Sequence, residues 1–348
     1  MPTSLLPDSD IAVVDFAGFL DGSNRQAPVA DEILDSLKRV GFVYLLNYGL
    51  APDWVDGMFA ESKSFFALPL ELKELAPHPP SGAHHRGYSS LGREKIVQPT
   101  PDGNTPSRLT GDVKESFECG HEDNATSPNI WLPDDVLPGF KERFLEVYAV
   151  RTFLLRFATL HTHERYMIQR FHQVELDIFR ALAIAFRLPE DYFTQYHSGV
   201  YNQLRLLHYP PVSAEALRRG DVERITAHSD YGSITLLLQD AAGGLEIENP
   251  HRPGEFQPVP PVPGALIVNA ADLLMRWSND TIRSAVHRVR APACGAAQDG
   301  LLPDRYSIPY DFDKIIECVP GTWDAQRPRK YAPVTSGEYI NTRYAAAY

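Results

Sequence analysis

The sequence predicts a mixed α/β fold whose second half is a β-sandwich or a jelly roll. Three observations support this fold class. The first 70 residues alternate strand-like and helix-like patterns, residues 140–188 carry the longest helical pattern, and short strand-like runs separated by turns follow residue 200. Short strands at regular spacing are typical of proteins in which two sheets pack face to face.

The N-terminal region has the order strand, helix, strand, helix. Residues 11–16 form a short apolar run that predicts a strand, and residues 31–40 place apolar side chains at helical spacing. Gly41 is expected to end that helix. Residues 42–47 are aromatic and β-branched, which predicts a buried strand, and residues 54–66 have the pattern of a second helix.

Two regions connect this opening to the strands of the second half. Residues 76–110 contain ten prolines and glycines, so we expect a long loop, and long loops in compact domains are often functional. Residues 140–188 repeat apolar side chains every three or four positions and are expected to form a scaffold helix. The predicted strands that follow span residues 204–209, 233–238, 244–248, 265–269, 284–290 and 305–310.

Composition restricts the classes of function. The chain has 348 residues, 43% of them hydrophobic, and can bury a sizeable core. A net charge of -12 argues against binding to nucleic acid or to an anionic membrane. The three cysteines are far apart and indicate neither a disulfide framework nor a thiolate metal site. Without a signal-like N-terminus or a membrane-spanning apolar run, we expect a cytoplasmic protein that acts on a small molecule.

The pattern His228-Ser229-Asp230, with a second histidine at His287, predicts a metal site. Residues i and i+2 of a strand point to the same face, so His228 and Asp230 can offer an imidazole and a carboxylate to one ion. Two histidines and one carboxylate leave open coordination positions, an arrangement that suits non-haem Fe(II) and O2. A histidine and an aspartate at this spacing also occur by chance among twelve histidines.

A second pair of residues predicts a carboxylate receptor. Arg305 and Ser307 lie on one side of a predicted strand, where a guanidinium and a hydroxyl can bind a carboxylate together. The alternative is a surface arginine beside an ordinary strand serine. The combination with the predicted metal site favours the receptor.

The sequence resembles the Fe(II)- and 2-oxoglutarate-dependent dioxygenases of the isopenicillin N synthase-like type over nearly its whole length. The N-terminal half resembles that family at residues 11–15, 41–44, 47–49 and 65–69. The second half resembles it in the runs Arg205-Leu206-Leu207-His208-Tyr209-Pro210-Pro211, Ala227-His228-Ser229-Asp230-Tyr231-Gly232, Trp277-Ser278-Asn279 and His287-Arg288-Val289, and in Asn269 with Asp272.

The resemblance implies a double-stranded β-helix (jelly-roll) core flanked by helices, and it implies roles for the residues. His228, Asp230 and His287 would bind Fe(II). Arg305 and Ser307, helped by Tyr209, would bind the distal carboxylate of 2-oxoglutarate. Leu207 stands where many relatives have asparagine, and Ala271 where glycine is common, so the geometry near Tyr209 departs from the family pattern.

The implied activity is hydroxylation, desaturation or cyclisation of a small molecule in secondary metabolism, with Fe(II), 2-oxoglutarate and O2, and with release of succinate and CO2. Two alternatives stay open. One is an iron oxidase of the same fold that does not use 2-oxoglutarate, and the other is a non-catalytic binding or sensing protein on this scaffold. A monomer or a weak homodimer is expected.

The resemblance also suggests where a substrate would bind. Walls are expected from the loop around residues 86–97, from residues 114–118 and from the C-terminal segment. The candidate substrate contacts are Arg93, Lys95, Tyr201, Asn202 and Phe312, with solvated loop charges as the alternative for Arg93 and Lys95. His84 and His85 are adjacent and are expected to be exposed loop residues rather than metal ligands.

Four regions follow from this assignment. They are an N-terminal dioxygenase region at 1–135, scaffold helices at 136–198, the jelly-roll domain at 199–315 and a segment at 316–348 that caps the pocket. Residues 150–169 form an extra segment relative to the family pattern. A translated retained intron and a genuine helical insertion both remain open for it.

Overall fold

The strands form two sheets that enclose a cavity. The computed structural model describes residues 4–5, 10–80, 85–94, 112–148, 171–197, 202–291, 300–311 and 318–334. The strands in these ranges are β1 (Ser4–Leu5), β2 (Ala12–Asp15), β3 (Phe42–Leu46), β4 (Gly87–Ser89), β5 (Glu115–Gly120), β6 (Gln203–Tyr209), β7 (Val212–Ser213), β8 (Ile225–His228), β9 (Ile234–Gln239), β10 (Leu245–Glu248), β11 (Phe256–Pro258), β12 (Leu266–Ala270), β13 (His287–Val289), β14 (Leu301–Leu302) and β15 (Arg305–Asp311).

The described residues form eight α-helices, and most of them pack in the apolar core on the outer face of the larger sheet. They are α1 (Ala17–Leu20), α2 (Gln26–Val40), α3 (Pro52–Phe66), α4 (Leu70–Lys73), α5 (Phe140–Leu145), α6 (Phe171–Ala185), α7 (Ala214–Arg219) and α8 (Asp272–Trp277), with 3-10 turns at Glu146–Tyr148 and Thr194–Tyr196. Within the described ranges, no helix combines the length and the apolar character that a membrane crossing requires.

The larger sheet has nine strands in the order β1-β2-β3-β12-β9-β15-β6-β5-β4, and the smaller sheet has four in the order β11-β10-β13-β8. Among these described strands, only β2 and β3 pair in parallel, and the other pairs are antiparallel. Strands β7 and β14 form a separate two-stranded sheet. The pairing order places strands from both halves of the sequence side by side around one core.

Hydrophobic spacing explains the helix packing. In α2, Val29, Ile33, Leu37 and Val40 recur at intervals of three and four residues and are all buried. Helix α2 ends at Gly41, whose φ of 75° is readily adopted only by glycine. Helix α6 buries a similar apolar stripe in the same core.

A second apolar cluster lies between the two sheets. It is formed mainly by residues of both sheets, with Val40 from the end of α2 and Ile11 and Val259 from beside β2 and β11. The sheet residues are Phe42, Tyr44, Leu207, Tyr209, Ile225, Leu245, Ile247, Ile267 and Val289. This cluster excludes water from one side of the cavity, so polar groups that face the cavity act in a desolvated environment.

Most predicted elements are confirmed, with changes at their ends. Helix α2 begins at residue 26 rather than 31, and β13 covers only 287–289 of the predicted strand 284–290. The prediction of an unbroken loop at 76–110 is wrong at Gly87–Ser89, which pairs with β5. The scaffold region is helical at both described ends, but it is interrupted at Glu146–Tyr148, and residues 149–170, with the proposed insertion, lie outside the described residues.

The described part of the predicted capping segment packs against α8. Val319 donates its backbone N–H to Trp277, Thr322 accepts from the Asn279 amide, and Ala332 accepts from Arg276. None of residues 318–334 lines the cavity. A capping role for residues 335–348 stays a prediction, because they lie outside the described residues.

Replacing Gly41 by alanine tests the close approach at the end of α2. A Cβ at Gly41 would lie 2.7 Å from the Arg283 carbonyl oxygen and 3.1 Å from the Ala285 Cβ. Together, the left-handed backbone and the clash should lower the free energy of unfolding by about 2–4 kcal/mol in urea denaturation. Gly254→Ala is the control, because Gly254 also has a positive φ but a Cβ there meets nothing within 4 Å. Equal losses in the two variants would contradict the close approach.

Candidate functional site

Two adjacent antiparallel strands of the smaller sheet place the histidines together. His228 is the last residue of β8, His287 is the first residue of β13, and the two are paired across the strands. The prediction that Asp230 lies on the same strand as His228 is wrong, because β8 ends at His228. A turn brings Asp230 to the histidines instead, and the backbone N–H of Asp272 donates to the Asp230 carbonyl at 2.9 Å.

The three side chains converge on one point. The Asp230 Oδ1 atom lies 3.7 Å from the His228 Nε2 atom and 3.6 Å from the His287 Nε2 atom. All three ligand atoms lie within 4.8 Å of one another. Metal–ligand bonds of about 2.0–2.2 Å would span these separations after small shifts.

Hydrogen bonds fix which nitrogen of each histidine can bind a metal. The Nδ1 atom of His228 lies 2.8 Å from the Thr226 carbonyl oxygen, and the Nδ1 atom of His287 lies 3.0 Å from the Ala285 carbonyl oxygen. Because a carbonyl only accepts, each Nδ1 carries the proton and each Nε2 has a free lone pair. Burial, and then the nearby His287, lower the pKa of His228 to about 3, which keeps this imidazole neutral.

The larger sheet orients Asp230. Its Oδ2 atom accepts hydrogen bonds of 2.7 Å from the Thr235 hydroxyl and the Asn269 amide, which are a cross-strand pair of β9 and β12. Burial alone would raise the pKa of Asp230, but His287, His228 and these two hydrogen bonds lower it below its ordinary value. The carboxylate is therefore ionised, with Oδ1 directed at both histidines.

These side chains fit a divalent iron. They supply two neutral imidazole nitrogens and one carboxylate oxygen, the donor set typical of non-haem Fe(II) sites with open positions. The atoms that do not face the common point are all held by neighbours, as is usual for metal ligands.

Asp272 connects the two segments that carry these residues. Its Oδ2 accepts from the Ser229 hydroxyl at 3.0 Å, and its Oδ1 accepts from the Ser284 hydroxyl at 2.6 Å. Ser229 lies between His228 and Asp230, and Ser284 lies shortly before His287.

A buried arginine defines the other end of the cavity. Arg305 is 1% exposed and donates to the Gly243 carbonyl, to the Gln239 side chain and to the Ser307 hydroxyl. Its guanidinium carbon lies 4.8 Å from the centre of the Tyr209 ring. Arg305 and Ser307, the residues of the predicted carboxylate receptor, thus lie on β15 beside β6 and line the same cavity as His228, Asp230 and His287.

The lining of the cavity includes further residues beside these two groups. Its lining comprises Phe42, Lys114, Arg205, Leu207, Tyr209, Ile225, His228, Asp230, Thr235, Leu237, Leu245, Asn269, His287, Val289, Arg305, Ser307 and Pro309. The Glu94 carboxylate pairs with both Lys114 and Arg205, at 2.7 and 2.8 Å, and Glu118 pairs with Arg205 at 2.9 Å. Lys114 lies in the wall predicted at 114–118.

Two predicted substrate contacts are engaged away from the cavity. Arg93 donates to the carbonyls of His78 and Pro79, and the buried Asn202 donates to Glu175. Neither lines the cavity, so the structure does not support them as substrate contacts. Lys95, Tyr201 and Phe312 lie outside the described residues.

Sequence reasoning missed several groups that support the site. Thr235 and Asn269 face Asp230 only because β9 pairs with β12, and this pairing has no local sequence signal. The expectation that His85 is exposed is wrong, since it is 5% exposed beside Glu118. His84 lies outside the described residues.

Comparisons with known proteins identify the family. A profile described as "non-haem dioxygenase in morphine synthesis N-terminal" matches residues 11–134, and one described as "2OG-Fe(II) oxygenase superfamily" matches residues 201–314. A proline hydroxylase, buaE, of Petromyces alliaceus is 35% identical over 97% of this chain and 100% of its own. The 2-oxoglutarate-dependent dioxygenase phqC of Penicillium fellutanum is 32% identical over 99% and 96%.

Solved structures show the same fold. A full-length Neurospora crassa protein, crystallised in complex with alpha-KG, aligns over 100% of both chains with a TM-score of 0.82 and 36% identity. The complex of the same protein with alpha-KG and thymine aligns over 99% of both chains with a TM-score of 0.80 and 36% identity. These matches confirm the predicted jelly-roll fold, and the chain belongs to the 2-oxoglutarate- and Fe(II)-dependent oxygenases, enzymes that use Fe(II), 2-oxoglutarate and O2.

Proposed function

We propose that His228, Asp230 and His287 bind the Fe(II), that Arg305 and Ser307 bind the distal carboxylate of 2-oxoglutarate, and that a substrate enters beside Lys114 and Arg205. The convergence of two Nε2 atoms and the Asp230 Oδ1 atom on one point is the observation that supports this most directly. When bound, Fe(II) with 2-oxoglutarate supplies the oxidising chemistry that attacks a substrate C–H bond, with release of succinate and CO2.

The charge pattern of the cavity supports the placement of 2-oxoglutarate. Lys114 and Arg205 are paired with carboxylates of the protein, whereas the partners of Arg305 are neutral acceptors. In the part of the chain that the structure describes, Arg305 forms no ion pair. A buried guanidinium without a carboxylate is stabilised by an anionic ligand such as 2-oxoglutarate. The similarity to 2-oxoglutarate-dependent dioxygenases favours this cosubstrate over the oxidase alternative. Tyr209 packs on Arg305 and helps to orient it.

The protein residues have distinct tasks in the reaction. The backbone carbonyls of Thr226 and Ala285 hold the histidine rings in the ligating tautomer. Apolar side chains such as Leu237 and Val289 exclude water from the cavity, which protects reactive species from side reactions. The substrate's position relative to the metal then decides which C–H bond reacts.

The substrate is a small nitrogen heterocycle without net charge, free or as part of a larger product of secondary metabolism, and hydroxylation is its main reaction. One relative similar over the whole chain is a proline hydroxylase, and a similar solved structure contains thymine. The carboxylates of Glu94 and Glu118 balance the charges of Lys114 and Arg205. These cations therefore offer hydrogen-bond donors rather than an excess of positive charge, which suits zwitterionic proline or neutral thymine.

The family assignment favours an enzyme over the non-catalytic alternative. Action in the cytoplasm is consistent with the buried thiol of Cys318, and the net charge of -12 argues against binding to nucleic acid or to an anionic membrane. The monomeric or weakly dimeric state stays a prediction.

Turnover with candidate heterocycles tests the proposed function. The iron-loaded enzyme is incubated with 2-oxoglutarate, O2 and either L-proline or thymine, and succinate and product are quantified by mass spectrometry. One heterocycle should increase succinate formation and gain one oxygen atom, and Asp230→Ala should abolish both signals. Asp221→Ala is the control, because Asp221 pairs with Arg219 on the surface. Product formed without succinate would contradict the role of 2-oxoglutarate, and no response to either compound would contradict a free heterocycle as the substrate.

Replacing Asp272 by asparagine tests its role as a positioning residue. Asparagine keeps the size of the side chain but can accept from only one of the two serine hydroxyls. The Kd for Fe(II), measured by anaerobic titration, should rise about 10- to 100-fold. Asp280→Asn is the matched control, because Asp280 follows the same helix and contacts Lys330 and Tyr331 instead. Equal Fe(II) affinity in both variants would show that Asp272 does not position the ligands.

A further inference from the structure

A second group of potential metal ligands lies at the edge of the larger sheet. His78, His85 and Glu118, here called the edge cluster, have ligand atoms within 4.8 Å of one another. All three residues are at least 95% buried. They belong to three separate segments, the chain after α4, the residues before β4, and β5.

The backbone holds these segments in place. His78 donates its backbone N–H to the Tyr88 carbonyl at 2.9 Å, and Tyr88 is the middle residue of β4. In the pairing of β4 with β5, Gly87 is opposite Glu118. The chain therefore brings His78 and His85 to one side of the Glu118 carboxylate by regular pairing rather than by a loop alone.

One hydrogen bond of the edge cluster resembles those of the iron site. The Nδ1 atom of His78 lies 2.7 Å from the Pro79 carbonyl oxygen, so Nδ1 carries the proton and Nε2 is the nitrogen that can bind a metal. This Nε2 atom lies 4.0 Å from Glu118 Oε2, and the His85 Nδ1 atom lies 3.3 Å from the same oxygen. The corresponding separations in the iron site are 3.7 and 3.6 Å.

The separations match a bound transition metal. Bonds of about 2.0–2.2 Å to nitrogen and oxygen place ligand atoms about 3–3.5 Å apart. The His85 separation of 3.3 Å already lies in that range, and the His78 separation of 4.0 Å reaches it after a shift of about half an ångström. The His85 side chain donates a hydrogen bond to Glu118, and a divalent metal would replace the proton that the two groups share.

We propose that the edge cluster is a second metal site that binds a divalent transition metal, with Zn(II) as the favoured ion. Two imidazoles and one carboxylate are ligands that zinc accepts in tetrahedral geometry, with water in the fourth position. The site joins the chain after α4 to the edge strands and stabilises that edge. The Gln203 amide, 3.3 Å from Glu118 Oε2, orients the carboxylate.

The edge cluster is connected to the cavity through Glu118. Its Oε1 atom accepts from Arg205 at 2.9 Å, while Oε2 faces the histidines. Arg205 lines the cavity and is also paired with Glu94, so Glu118 does not supply its only counter-charge. A metal on Oε2 would fix the carboxylate and thereby the orientation of Arg205, without contact with the iron ligands.

Metal stoichiometry tests the second site. The metal-free protein is dialysed against low micromolar ZnCl2, and bound zinc is measured by elemental analysis in the wild type, in His228→Ala/Asp230→Ala, and in that double variant with His85→Gln added. The double variant should retain one zinc per chain, and the added His85→Gln should remove it. Co(II) bound to the double variant should give the intense visible bands of tetrahedral coordination.

Equal zinc content in the double and triple variants would overturn the proposal. Far-ultraviolet circular dichroism checks that each variant is folded, and His78→Gln in place of His85→Gln gives an independent removal of one ligand. The second site does not depend on the proposed function. If His228, Asp230 and His287 do not bind metal, the wild type and the double variant will contain the same amount of zinc. If the edge cluster does not bind metal, the double and triple variants will contain the same amount.

Discussion

The antiparallel pairing of β8 with β13 is the constraint on which the rest of the site depends. It places His228 opposite His287, and both rings are fixed by carbonyls of their own segments. Neither histidine could reach the other if the strands slipped by one residue, because every side chain would then face the opposite side of the sheet. The apolar cluster between the sheets makes such a slip costly, and the register is therefore specified by burial.

The two sheets contribute different kinds of residues to the cavity. The smaller sheet supplies the imidazoles, and the larger sheet supplies Thr235 and Asn269, which orient Asp230, together with Arg305 and Ser307. The proposed ligands of the metal and of the cosubstrate thus belong largely to different sheets, and the distance between the sheets sets the distance between the two groups. Helices α2 and α6 pack on the outer face of the larger sheet and keep that wall rigid.

The sequence predicted the chemical groups better than their surroundings. That His228, Asp230, Arg305 and Ser307 line one cavity could be predicted, because residue type and short spacing carry the signal. The support from Thr235 and Asn269, and the burial of His85 beside Glu118, could not, since these contacts depend on which distant strands pair. Helix ends were also missed, because tertiary contacts rather than local propensity decide the first and last turns.

The central claim is that one cavity holds Fe(II) at His228, Asp230 and His287 and 2-oxoglutarate at Arg305. Anaerobic optical titration of the Fe(II)-loaded protein with 2-oxoglutarate measures this directly through the metal-to-cosubstrate charge-transfer band. The band should form in the wild type, and Arg305→Gln should require about 10- to 100-fold more 2-oxoglutarate to reach it, because the buried charge-assisted contact is lost. Arg180→Gln, a loss of positive charge on the outer face of α6, should leave the titration unchanged. A folded, iron-loaded wild type without the band, or unaltered affinity in Arg305→Gln, would contradict the account.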